Sequence, residues 1–260
     1  MKRNRLVVLG LIVAVMIAAL VGCSSSGGAK DDGKLIIGVD DKFAPMGFRD
    51  EKNELVGFDI DFAKAVGEEM GMEVTFQPIE WKTKESELNS GRIDLIWNGY
   101  TITEERKEMV LFTKPYLENS QMIITLADSD IQSIADLAGK NVGLQSMSSA
   151  EIALEANPVH AEVKSISEFT DNVLALTDLK IKRLDAVIID EVVARYYMSK
   201  EEGTFRLVEE SLAPEEYGIG VKKGNEALLE KLQKAIDTLN DNGKAAEISK
   251  KWFDEDKVLK

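Results

Sequence analysis

The chain has 260 residues, 44% hydrophobic and 30% charged, enough for a packed core under a solvated surface in one large domain or two modest ones. Its formal net charge of −14 excludes a nucleic-acid binder, because phosphate contacts need clustered lysine and arginine. One cysteine, Cys23, and one histidine, His160, exclude an internal disulfide and a usual zinc site.

The chain opens with Lys2, Arg3 and Arg5, followed by an uncharged apolar run over residues 6–21. This layout predicts a signal peptide over residues 1–22. A signal anchor is the alternative, because the run approaches the ~20 apolar residues of a membrane span. The run ends in "LVGC", residues 20–23, which resembles a bacterial lipobox. By that resemblance the Cys23 thiol carries lipid, a palmitate-type anchor worth about 0.8 kcal/mol per buried methylene. Residues 23–33, small and polar, read as a flexible tether.

From residue 34 strands alternate with helices. "LIIGV" is strand-like. "GFDIDFAKAVGEEMG" places Phe62, Ala65, Val66 and Met70 on one helical stripe, stopped by Gly71. "MEVTF" is a strand, followed by a short helix, the strand "IDLIW" and a turn at residues 103–106. "DIQSIADLAG" reads as a helix closed by Gly139, and "NVGLQ" as a strand leading to Ser148 and Ser149, good N-cap residues. "AEVKSI", "DAVIID" and "FRLVE" are further strands. Leu228, Leu232, Ala235, Ile236 and Leu239 mark a long amphipathic helix, and Trp252 and Phe253 lie in a final one. This alternation predicts an α/β fold with mainly parallel sheets. Ligands then sit at the carboxyl ends of strands, which singles out the segments after Val39, Trp97, Gln145 and Ile189.

No G-x-S-x-G elbow, Walker loop, dinucleotide fingerprint or EF-hand spacing is present. His160 sits in a polar stretch and reads as an exposed loop residue. No catalytic residue, metal ligand or cofactor is assigned. What recurs at the strand ends is a set suited to a zwitterion. A guanidinium fork (Arg106, with Thr101) or a helix N-terminus (Ser148, Ser149) suits a carboxylate. Asp190 suits an ammonium, and the faces of Phe43 and Trp81 suit an apolar or cationic side chain. Taken singly, Arg106 reads equally as a surface charge, Asp190 as an N-cap and Trp81 as a core residue.

Several ordered stretches carry a resemblance: "IIGVDDKFAPMGF", "LVGFDIDFAKAVGEEMG", "LNSGRIDLIWNGYTITEERKEMVLFTKPY", "DLAGKNVGLQSMSSAE", "RLDAVIIDEVVA", "YGIGVKKGNEALLEKLQKAI" and "DNGKAAEISKKWF". From residue 35 to about 253 the chain resembles the polar amino-acid solute-binding proteins of bacterial ABC importers. The resemblance implies a two-lobed, type II periplasmic-binding-protein fold. Lobe 1 would be residues 34–120 and 217–260, and lobe 2 residues 121–216, with crossings near 120–124 and 216–219. It implies that Arg106 and Thr101, with Ser148 and Ser149, bind the α-carboxylate of a free L-amino acid. Asp190 and the backbone of Gly99 would take the α-ammonium, Phe43 and Trp81 would sandwich the side chain, and Asp40 would address its polar end. The ligand would be of glutamine, arginine, lysine or histidine type. An ABC permease with its ATPase would be the partner of a monomer anchored on the outer face of the cell membrane. Asn98, Met147, Met46 and the pair Thr113–Lys114 depart from the common pattern, and Asn98, Met147 and Met46 are placed at the pocket. The rival readings are a ligand-sensing surface lipoprotein and a dehydratase-like enzyme using Asp190 or Glu191 as general acid.

Overall fold

The computed structural model describes residues 33–260. The expected signal segment, Cys23 and the tether up to residue 32 lie outside the described residues.

In chain order the strands are β1 (Lys34–Val39), β2 (Lys42–Phe43), β3 (Gly47–Arg49), β4 (Leu55–Val56), β5 (Glu73–Pro78), β6 (Leu95–Ile96), β7 (Val110–Phe112), β8 (Leu117–Leu126), β9 (Asn141–Gln145), β10 (Ser165–Phe169), β11 (Ala186–Asp190), β12 (Phe205–Tyr217) and β13 (Gly220–Lys222). The helices are α1 (Phe58–Met70), α2 (Lys84–Ser90), α3 (Glu104–Met109), α4 (Ser149–Glu155), α5 (Asn172–Lys180), α6 (Glu191–Lys200), α7 (Glu226–Asp241) and α8 (Lys244–Phe253). Two five-stranded sheets form, in the orders β5-β1-β6-β13-β7 and β10-β9-β11-β8-β12. β13 runs against its neighbours in the first sheet and β8 against its neighbours in the second, so each sheet is mainly parallel as expected. A small antiparallel sheet, β2-β3-β4, sits beside the first.

Sequence periodicity decides which helix faces are buried. The five residues on the α7 stripe, Leu228, Leu232, Ala235, Ile236 and Leu239, are the ones buried. Each buried leucine or isoleucine contributes about 1.5–3 kcal/mol. On α1 the buried face is Asp59, Phe62, Ala63 and Val66, at i, i+3, i+4 and i+7. Ala65 and Met70, expected on this stripe, lie at its half-buried rim. Gly71 ends α1 with φ 67°, a left-handed conformation that glycine adopts without steric cost.

Three local expectations are corrected. Residues 103–106 do not stop at a turn. The Thr103 side chain accepts from the Arg106 N–H and caps α3. The helix expected over 130–139 is only a 3-10 turn, Ile134–Leu137. Its capping box of Ser133 and Asp136 locks a start that the following segment does not extend. The strand expected in "AEVKSI" begins later, at Ser165, because Pro158–Glu162 forms a 3-10 turn with proline in its first turn.

The sheets are joined by a long antiparallel ribbon. Leu117–Ser120 of β8 pair with Pro214–Tyr217 of β12. Gln121 is the first β8 residue that also pairs with β11. Beyond Tyr217 the chain enters β13 and returns to the first sheet.

Candidate functional site

The carboxyl ends of β1 and β6 in one lobe face those of β9 and β11 in the other. Several contacts between side chains or carbonyls cross the gap, so the structure is closed. Lys84 Nζ donates to the Met147 carbonyl at 3.0 Å. Thr101 Oγ1 and Ser149 Oγ lie 3.1 Å apart. Gln145 Nε2 donates to Asp40 Oδ2 at 2.7 Å, and Lys42 Nζ pairs with Asp171 Oδ2 at 2.8 Å.

Arg106, in the first turn of α3, is 3% exposed. Its Nη1 donates to the Thr101 carbonyl at 2.9 Å and its Nη2 to the Met147 carbonyl at 3.4 Å. The guanidinium carbon lies 4.8 Å from the centre of the Tyr100 ring. Both hydrogen-bond acceptors are neutral carbonyls, and among the described residues no carboxylate pairs with this cation. Burying a charge without an opposite partner is costly, so the site carries a standing demand for an anion. Ser149 opens α4, whose first N–H groups lack intrahelical acceptors. Ser148 Oγ is buried without a partner and caps nothing.

At the opposite pole stands Asp190, the last residue of β11, 5% exposed. Its Oδ1 accepts from Tyr217 Oη at 2.6 Å and from Asn119 Nδ2 at 2.8 Å. Burial, and then the nearby Glu215 carboxylate, push its carboxyl up to about 7. Gly99, just past β6, holds φ 60°. A Cβ there would meet Phe43 Cε1 at 2.8 Å, so the turn needs glycine both for its torsion and for the approach of Phe43. The Gly99 N–H is taken by Asp59 Oδ2 at 2.8 Å, which leaves its carbonyl as the group that can face a ligand.

Phe43 and Trp81 are buried, with ring centroids 6.5 Å apart and planes 8° from parallel. Asp40, after β1, accepts from Gln145 and from the Lys42 N–H at 3.0 Å. Burial chiefly raises its carboxyl to about 6. Beside Trp81 a recess of about 180 Å³ is lined in part by Glu80, Ser146 and Glu168.

Three departures from the resemblance find their places. Met147 does not line the pocket with its side chain, which is 55% exposed. Its φ is 57°, a left-handed conformation that explains why glycine suits the position, and its carbonyl receives Lys84 and Arg106. Met46 is fully buried in the hydrophobic core. Asn98 is also fully buried, but its Oδ1 lies against Gly47, where a Cβ would approach it to 2.2 Å. Neither of its amide atoms has a hydrogen-bond partner.

Several residues of the site were not anticipated. Lys84 is 1% exposed, sits 5.1 Å over the Trp81 ring and 3.3 Å from Glu85 Oε1. Burial, then the Arg106 charge, lower its amine to about 8. Its signal was spacing, since it lies one turn before the buried Leu88. Asp59, fully buried on the inner stripe of α1, also accepts from Tyr116 Oη at 3.1 Å, and burial raises it to about 7. Asn119 and Gln121 alternate on one face of β8 and reach Asp190, Ser149 and Glu215. Their signal was two polar residues at period two inside a buried strand.

Comparison with known proteins places this geometry in a family. The profile of the bacterial extracellular solute-binding proteins, family 3, matches residues 35–255. The arginine-binding extracellular protein ArtP of Bacillus subtilis (strain 168) is 34% identical over 249 residues, covering 94% of this chain and 96% of the relative. The glutamine-binding ABC transporter protein GlnH of the same organism is 31% identical, covering 96% and 97%. An ABC uptake transporter substrate-binding protein from Streptococcus pneumoniae, solved with bound histidine, superposes with a TM-score of 0.84 at 40% identity, covering 88% of this chain and 95% of that one. With its family profile spanning both lobes and the cleft between them, this chain belongs to the bacterial extracellular solute-binding proteins, family 3.

Proposed function

We propose that the chain is the extracytoplasmic substrate-binding component of an amino-acid ABC importer, and that it captures a basic L-amino acid of arginine type by cleft closure. The observation that carries this is the buried Arg106 guanidinium whose partners are all neutral. A ligand carboxylate supplies the missing anion in a two-pronged geometry. Asp190 and the Gly99 carbonyl stand ready for the α-ammonium, and Thr101, Ser148 and Ser149 flank the head group.

The side-chain end favours a cation. Once Arg106 and Asp190 are matched by the head group, and Lys84 by Glu85, Asp40 remains, with Glu168 at the adjoining recess, where Glu80 is paired with Lys82. The Phe43–Trp81 centroid separation of 6.5 Å is nearly twice the ~3.5–4.0 Å contact distance between carbons. That spacing suits one flat group, such as a guanidinium, held between parallel faces. Glutamine is the second reading, with Asp40 accepting from its amide.

The lobes on this reading are residues 34–120 with 217–260, and residues 121–216, and the β8–β12 ribbon is the hinge. Ligand holds the closed state by its differential affinity for it. A monomer anchored by lipid on Cys23, outside the cell membrane, then presents the aligned lobes to the permease and its ATPase. The role is binding and not catalysis, in keeping with a family of solute-binding proteins. A thermal-shift screen of the twenty amino acids with cystine and ornithine tests the reading. Arginine is expected to give the largest rise. No response to any amino acid would overturn it.

A further inference from the structure

Glu215 lies on β12 within the connecting ribbon, and neither the strand-end pattern nor the family resemblance marked it. Its Oε2 is the meeting point of three donors: Thr101 Oγ1 at 3.2 Å, Asn119 Nδ2 at 2.9 Å and Gln121 Nε2 at 3.0 Å. Thr101 belongs to the β6 side of the cleft, whereas Asn119 and Gln121 belong to β8. A carboxylate can only accept hydrogen bonds, and a threonine hydroxyl has one proton. The Thr101 proton is therefore committed to Glu215. At the 3.1 Å contact between Thr101 and Ser149, Ser149 must then be the donor. Gln121 Nε2 also donates to Ser149 Oγ at 3.1 Å, which is compatible with that direction. Thr101 Oγ1 is left with one lone pair to accept with and no proton to donate. The Asn119 amide nitrogen ties Glu215 to Asp190, donating to both at 2.9 and 2.8 Å.

We propose that Glu215 is a specificity-determining positioning residue: it fixes the hydroxyls of Thr101 and Ser149 so that the head-group site accepts a primary α-ammonium, and it adds a second negative charge beside Asp190. This rests on the amino-acid reading above. Discrimination for the ammonium then resides in the hinge ribbon as well as in the lobe faces. Neutralising Glu215 should harm ligands that carry the ammonium and spare those that lack it. A scaffold role would harm both alike.

The test compares wild type, Glu215→Gln and Glu215→Asp on two matched ligand pairs. The pairs are L-arginine with 5-guanidinopentanoate, and L-glutamine with glutaramate, the second member of each lacking only the α-amino group. Calorimetry gives the amino-acid affinities and displacement gives those of the analogues. Glu215→Gln is expected to weaken the bound amino acid at least tenfold while its des-amino partner changes less than threefold, and Glu215→Asp, which keeps the charge, to recover part of the loss. Equal losses for both members, or an unchanged amino-acid affinity, would overturn the assignment and leave the amino-acid reading standing. Wild type binding neither L-arginine nor L-glutamine would overturn both. Ligand-free melting curves of the variants show whether each is folded, and a misfolded Glu215→Gln transfers the decision to Glu215→Asp, which must then weaken the amino acid more than its analogue.

Discussion

Replacing Arg106 with alanine separates the cost of the site from its use. In the closed structure the guanidinium is 3% exposed, and its polar partners are two carbonyls, with the Tyr100 face beside it; opening the lobes gives up the Met147 contact. Those contacts offset its desolvation incompletely, because no opposite charge accompanies it. Removing it loses a cation–π contact worth about 0.5–2 kcal/mol but also removes a buried unpaired charge. The ligand-free melting temperature is therefore expected to move by only a few degrees. Binding behaves differently. A forked contact to a carboxylate makes two charge-assisted hydrogen bonds, each worth roughly 1.5–3 kcal/mol. Allowing for water entering the vacated space, at least about 2 kcal/mol should be lost, some thirtyfold at 1.4 kcal/mol per decade. Arg106→Lys should also bind poorly, since an ammonium cannot reproduce the fork. Calorimetry with L-arginine measures the loss. An Arg106→Ala affinity within threefold of wild type would refute the reasoning and remove Arg106 from the site.

Two pH predictions follow from the buried carboxyls. Asp40, raised to about 6, is protonated below that pH and no longer attracts a cation, so L-arginine affinity should fall from pH 7 to pH 5 more steeply than L-glutamine affinity. Asp190 serves both ligands and cancels in the comparison; parallel profiles would exclude Asp40 from the side-chain end. Asp59 has a folded-state pKa raised from 3.8 to about 7, so its contribution to stability is present below pH 3.8 and is lost as pH rises through about 7. Wild type should therefore lose melting temperature between pH 5 and pH 8 relative to Asp59→Asn, and identical slopes in the two proteins would show that this carboxyl is not titrating as described.

Local pattern alone determined much of this protein. A periodicity of 3.6 picked out the buried α7 residues because helix geometry places them on one face whatever they pack against. Apolar runs ended at Val39, Gln145 and Asp190, and strand ends in a mainly parallel sheet converge on one side. Phe43, Thr101, Arg106, Ser149 and Asp190 were legible as candidates for that reason, and Trp81 as an aromatic face. The fates of isolated polar residues were not. The spacing of Lys84 from Leu88 indicated burial at most, and only lobe closure brought it to the Met147 carbonyl, 63 residues away. Glu215 was one acid among the 46 acidic residues until the ribbon carried it to Thr101, 114 residues distant. Asn98 was a polar residue at a strand end until the fold set its Oδ1 beside Gly47 with both amide atoms unpartnered. Periodicity reports which face of an element is buried, because that depends on the element alone. Which charges meet depends on how elements separated by half the chain are set against one another, and only the tertiary structure decides that.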